Sequence, residues 1–297
     1  MKVINNKFNE IDTPLNIEQI IYYIKNALGQ MNIDSGILSN VLMGFDSMYI
    51  QVANDSVFSI KLPNGSLKEN KISSSVGALK TNMSISVNDK ELNITPGIVV
   101  RENYNNHQLI HEILHGLSSK QQNFYDENGI TYTKTGTKID YYDKSLNDYE
   151  NIDNLSSEGL NEGITEYLTS ILTNEYTGTY APFVVISRLF MTSNNNLLNA
   201  YFMNDISGLE RFYKDVEEKQ SLINRTDFTN LTSKCTDFDL ISKLIAAGIN
   251  YNKSYGIEMT DEELNNIIMY LDNNIILDTG SWYDLISNYK TNKNLLK

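Results

Sequence analysis

NNHQLIHEILHGL, residues 105–117, decides how the rest of this chain is read, because it holds all of its histidines: His107, His111 and His115. In a helix, residues four apart lie one above the other on the same face. His111 and His115 have that spacing, and two imidazoles so placed can reach one tetrahedral cation. Glu112 lies about 100° around the helix from His111. It would sit beside such an ion, where a carboxylate can take a proton from water. Leu109, Ile110, Ile113, Leu114 and Leu117 leave little polar surface beyond the histidine stripe and Glu112. A helix of that kind is predicted to be buried, and its buried polar groups need partners. The competing reading is a metal-free interaction protein whose histidines form a buried polar network.

A catalytic metal site needs a third protein ligand and one position left open. Cys235 is the single cysteine and no further histidine exists, so neither a disulfide nor a thiolate site is possible and the third donor must be a carboxylate. Ser157 to Leu172 carries a strong helical pattern, with Leu160, Ile164, Leu168 and Ile171 as its apolar stripe. Glu158, Glu162 and Glu166 recur every four residues on another face. A solvated acidic face explains that spacing as well. Like charges so spaced repel by a few tenths of a kcal/mol per pair, a cost that a dication or an imidazolium reverses. Glu162 as ligand, with Glu166 one turn on accepting from a ligand's free ring N–H, is the arrangement that metal-bound histidines require.

HEILH followed by NEGITE (residues 161–166) resembles the gluzincin metallopeptidases, whose first helix carries HEXXH and whose second carries a glutamate ligand in an N-E-x-x-[S/T]-[D/E] context. The resemblance covers these two short segments. It implies zinc held by His111, His115 and Glu162, Glu112 as general base, Glu166 as the supporting carboxylate, and hydrolysis of peptide bonds in a peptide or protein substrate. The chain departs from the pattern in three places. From His115 to Glu162 is 47 positions, far longer than in thermolysin-like enzymes. Glu166 stands where aspartate is usual. No histidine follows to stabilise the transition state, which leaves Tyr176, Tyr180, Arg188 and His107 as candidates. Gly136-Thr137-Lys138-Ile139-Asp140 comes within one residue of the aspzincin G-T-x-D pattern, so Asp140 is a rival third ligand. A zinc-binding protein or effector without turnover is the alternative function.

At 297 residues, 41% hydrophobic and 21% charged, the chain can bury a full core. Its net charge of −13 argues against nucleic acid or an anionic membrane surface as partner. MKVINNKFNEIDTPL lacks a continuous apolar signal region, and no run of about eighteen apolar residues exists. A cytoplasmic location is the expectation, with export lacking a signal peptide left open; nothing indicates an oligomeric state.

The fold class expected is α+β. Residues 1–45 read as N-terminal helices, one opening at Thr13-Pro14 and another covering Ile37 to Gly44. Residues 46–175 read as a small mixed or antiparallel sheet with the two metal-binding helices. Its strands are expected at Ser47 to Val52, Val57 to Leu62, Met83 to Val87 and Ile98 to Arg101, with Pro96-Gly97 among the turn signals between them. Residues 118–155 read as a hairpin or extended loop with a turn at Asn128-Gly129. Residues 176–297 read as a helical subdomain, clearest at Asp237 to Ala247, Thr260 to Leu271 and Trp282 to Tyr289. One strand before the HEXXH helix would offer an edge to an extended peptide.

Overall fold

Short β-rich segments dominate the chain before the HEXXH helix and long amphipathic ones follow it, and the architecture divides in the same way. The computed structural model describes residues 1–12, 15–53, 56–62, 64–73, 76, 78–88, 91–101, 104–123, 131–141, 155–203, 206–277 and 280–291. Thr13, Pro14, Asn128 and Gly129 lie outside these residues.

Six strands form one mixed sheet: β1 (Lys2–Ile4), β2 (Tyr49–Val52), β3 (Val57–Lys61), β4 (Leu67–Lys71), β5 (Ala78–Asn88) and β6 (Glu91–Val100), in the order β1-β2-β6-β5-β3-β4. β1, β2 and β6 run parallel, and β5 and β6 form a long antiparallel hairpin. β5 meets β3 at a single pair, Lys61 with Ser84. The first residues of β5 border the site described below.

Two expectations about the sheet are corrected. Residues 2–4 are a strand, a stretch too short for periodicity to show. Pro96 and Gly97 lie inside β6 rather than in a turn. Proline removes a ladder donor and is tolerated in strands at bulges. Pro96 stands opposite Asn82, where the β5–β6 register shifts between Asn82 and Ser84.

Helices α1 (Leu15–Gln30) and α2 (Ser35–Ser47) precede β2, and α3 (Asn106–Leu117) follows β6. Asn105 caps α3 by accepting from the Gln108 N–H. Of its 12 residues nine are buried, including the three histidines, as its apolar composition requires. Then α4 (Glu158–Thr173), capped by Ser157, lies against α3. The remaining helices are α5 (Ala181–Thr192), α6 (Asn196–Phe202), α7 (Ser207–Lys219), α8 (Arg225–Thr229), α9 (Phe238–Ser254), α10 (Asp261–Asn274) and α11 (Trp282–Thr291). Asp237 and Thr260 cap α9 and α10, the latter in a capping box with Glu263. One cluster of buried apolar residues runs from Val3 through α3 and α4 to Ile286. The class is α+β, with a small sheet ahead of a helical C-terminal part.

The stretch between the two motif helices holds a second sheet, β7 (Ser119–Asn123), β8 (Thr131–Thr135) and β9 (Lys138–Tyr141), antiparallel throughout. Its β8–β9 turn is fastened between α3 and α4. Gly136 N–H donates to Ser118 O, Thr137 N–H to Asn161 Oδ1 and Thr137 Oγ1 to Ser157 O. Gly136 has φ +58°, and a Cβ there would fall 2.0 Å from Asn161 Oδ1, so the turn needs glycine twice over. Lys134, fully buried, donates through Nζ to the carbonyls of Ala200, Tyr201 and Met203 at the end of α6. These contacts carry the chain from His115 back to α4 and explain how a 47-residue separation still brings His115 and Glu162 together.

Candidate metal centre

The histidine stripe of α3 faces one side of α4, and three nitrogen and oxygen atoms converge between them. His111 Nε2 and His115 Nε2 are 3.1 Å apart, and each is 3.3 Å from Glu162 Oε2. Donors around a tetrahedral zinc at about 2.0–2.1 Å are separated by about 3.3–3.4 Å, so this triangle has the size that such a cation requires. The donor set of two imidazoles and one carboxylate is also one that suits zinc. His111, His115 and Glu162 can hold a metal ion, and they are the group of that kind among the described residues.

Behind the triangle each ring is held by its other nitrogen. His111 Nδ1 lies 3.0 Å from Glu166 Oε2, and His115 Nδ1 lies 3.3 Å from Thr165 Oγ1. Thr165 donates to Asn161 O and meets Tyr201 OH at 2.7 Å, and Asn161 Nδ2 lies 3.3 Å from the same His115 nitrogen. Glu166 also accepts from Thr177 Oγ1 at 2.7 Å and meets His107 Nε2 at 2.9 Å. Glu162 and Glu166 thus face α3, while Glu158 turns away to Lys138, 3.1 Å distant, and to the N–H of Ser233. The apolar stripe of α4 is Leu160, Ile164, Leu168 and Leu172. Ile171, expected in that stripe, is 45% exposed, because the buried row steps by four, turns about 40° per step and has moved on to Leu172 by the last turn.

Gly163, next to Glu162, sets the depth of this site. A Cβ there would lie 2.2 Å from Phe183 O, so glycine alone lets α5 approach α4 so closely. Tyr180, just before α5, has φ +57°, which turns its ring over the centre, 6.1 Å from the His111 ring and nearly parallel to it. Tyr180 joins His111, Glu112, His115, Glu162, Asn161, Leu79, Lys80, Thr81, Thr135 and Lys138 around a cleft of about 420 Å³. Of the four candidates for a transition-state donor, Tyr180 is the one that lines this cleft. Tyr176 and Arg188 line a separate cavity of about 440 Å³ with Ile171 and Tyr270, and His107 is buried against Glu166. Asp140 has its backbone in β9, paired with Thr133.

Glu112 projects into the cleft beside the triangle. Its Oε2 accepts from the backbone N–H of Lys80 in β5 at 2.6 Å. That N–H is therefore aimed out of the β5–β6 hairpin and towards the site. Lys80 Nζ reaches Thr135 Oγ1 at 3.0 Å, which ties β5 to the second sheet across the mouth of the cleft. Sequence reasoning missed Lys80, Thr165, Thr177 and Tyr201. The spacing of Thr165, Thr169 and Thr173 was a readable signal, since a polar stripe on α4 matches the histidine stripe on α3 at the same interval.

The electrostatics describe a site that compensates its own charges. Burial opposes a charge on His111, but hydrogen bonds to Glu162 and Glu166 outweigh it and push its pKa up to about 10. Burial likewise opposes charge on Glu162, and His115 and His111 override it to hold this carboxyl well below the usual range. Glu166 is lowered for the same reason, through His111 and Thr177. At pH 7 the metal-free site therefore carries a proton on His111 between two carboxylates, occupying electrostatically the place of a cation. A metal must displace that proton. Calorimetric titration of zinc in buffers of different ionisation enthalpy should show about one proton released per zinc near pH 7. The sign follows from the raised pKa: apparent affinity climbs as pH rises towards 10 and falls as pH drops. An affinity independent of pH between 6 and 8 would contradict the assignment.

Compared with protein-family models, curated proteins and solved structures, the chain finds no match. No helix among the described residues is long and apolar enough to cross a membrane.

Proposed function

We propose that this chain is a zinc-dependent peptidase of the gluzincin kind. The observation that carries the reading is the donor triangle of His111, His115 and Glu162 opening on the same cleft as Glu112, which Leu79–Thr81 of β5 also line. Zinc, when bound, polarises a substrate carbonyl and lowers the pKa of water to about 7.

The protein's own groups supply the remaining chemistry. Glu112 takes the proton from the attacking water and returns it to the leaving amine. Tyr180 presents its hydroxyl from the opposite wall. Burial, then the nearby carboxylates of Glu162 and Glu112, push its pKa far above that of an ordinary tyrosine. It remains a hydrogen-bond donor throughout the neutral range and is placed to stabilise a developing oxyanion. Leu79–Thr81 of β5 line the cleft and offer backbone groups to an extended peptide, which adds as a further strand. A peptide seated there would compete with Glu112 for the Lys80 N–H, freeing the carboxylate as substrate arrives.

The test has two stages. Metal analysis of the purified chain should give about one zinc per molecule, and digestion of a broad peptide library should yield cleavage that a chelator abolishes and zinc restores. Tyr180→Phe should keep the zinc and lower kcat about 100-fold. Zinc with no cleavage at all would replace the peptidase reading with that of a metal-binding protein. Absence of zinc affinity would overturn both.

A further inference from the structure

The geometry assigns His107 a positioning role: it fixes Glu166, and through Glu166 the ring of His111, so that His111 Nε2 is presented to a metal. The inference rests on the metal reading above and concerns a residue outside the HEXXH segment.

Glu166 ends a side chain with three rotatable bonds, and one hydrogen bond from His111 would not settle its orientation. Its other oxygen is gripped from two directions. His107 Nε2 reaches Oε1 at 2.9 Å from the first turn of α3, and Thr177 Oγ1 reaches the same atom at 2.7 Å from the α4–α5 connection. With Oε1 held, Oε2 is left facing His111 Nδ1 at 3.0 Å. His107 is itself anchored, being 6% exposed, with Nδ1 3.1 Å from Thr173 Oγ1. The exposed Glu175 carboxylate lies 3.9 Å from the same nitrogen.

Counting protons gives the direction of each bond. Both Glu166 oxygens face donors, the two histidine rings and the Thr177 hydroxyl, and a carboxylate so placed accepts. The proton between it and His107 therefore sits on Nε2, while Nδ1 meets Thr173 Oγ1, whose hydroxyl donates to Thr169 O. The proton between Glu166 and His111 sits on Nδ1, which leaves His111 Nε2 as the atom for a metal. His107 and His115 are thus not equivalent members of one stripe. His115 donates an atom to the triangle, whereas His107 aims the group that aims His111.

A buried histidine that merely fills space would be replaced by phenylalanine without consequence for metal affinity. A positioning residue would not. Zinc affinity, measured by competition with a chromophoric chelator, should weaken about 10–100-fold in His107→Phe. In His107→Gln, whose amide N–H can still reach Glu166, it should stay near the wild-type value. Thr177→Val, which removes the second grip on Oε1 from an exposed position, should weaken zinc binding in the same direction and serves if His107→Phe fails to fold. In the metal-free wild type, long-range proton–nitrogen NMR of a chain with three histidines should show a proton on His107 Nε2. Wild-type zinc binding with an unchanged affinity in folded His107→Phe, or in Thr177→Val where His107→Phe does not fold, would overturn the positioning role and leave the metal reading standing. So would a bare Nε2 on His107. A wild type that takes up no zinc would instead overturn the metal reading and this inference with it.

Discussion

Glu112→Gln should leave zinc binding unchanged and lower peptide hydrolysis by about 10²–10⁴-fold, the contribution typical of a positioned general base. The two effects separate because of where Glu112 sits. It follows His111 directly, so it points about 100° away from the ligand face, and neither His111 nor His115 depends on it for a hydrogen bond. Glutamine keeps the size of the side chain and keeps an oxygen that can accept from the Lys80 N–H, now 2.6 Å from Glu112 Oε2. The wall of the cleft should therefore survive the substitution. What glutamine lacks is basicity: an amide cannot take the proton of an attacking water or carry it to a leaving amine. The measurement is kcat/KM on a cleaved peptide together with zinc stoichiometry. Full activity in Glu112→Gln would remove Glu112 from the mechanism. Loss of zinc would show that it supports the metal rather than the chemistry.

What was legible in the sequence was short-range. HEILH and NEGITE each place two or three functional atoms within one or two helical turns, and helical geometry carries them to the right faces with no knowledge of the fold. The caps at Ser157, Asp237 and Thr260 were readable for the same reason, since a side chain there bonds a backbone N–H two or three residues on. The features that escaped depend on distant partners. Lys134 reads as a surface lysine until β8 delivers it to the carbonyl end of α6. Pro96 reads as a turn until a bulge in the neighbouring strand accommodates it. Tyr180 was one tyrosine among 19, and it is its left-handed backbone and the closeness of α5 to Gly163 that put it over the centre. His107 meets Glu166, 59 residues away, a contact that no local spacing shows.

That dependence on long-range closure makes Glu162 the most informative residue for a second substitution. Glu162→Ala should weaken zinc binding by more than the roughly 100-fold that loss of an outer hydrogen-bond partner costs, because it removes a donor atom rather than a support. It should also alter the metal-free protein. Without Glu162, His111 loses the first of the hydrogen bonds that oppose its burial, and its pKa should fall from about 10. NMR titration of the three histidines should detect that change with no metal present. The rival arrangement makes the opposite forecast: were Asp140 the third ligand, Asp140→Asn would abolish zinc binding and Glu162→Ala would spare it. The structure favours Glu162 through two distances of 3.3 Å to a single carboxylate oxygen, one from each histidine. On this arrangement the second sheet has another part to play. Its work is to close the path from α3 to α4, with Gly136 and Thr137 seated on Ser118, Ser157 and Asn161. Gly136→Ala, which puts a methyl group where Asn161 stands, should then weaken zinc binding as well, although Gly136 touches no ligand.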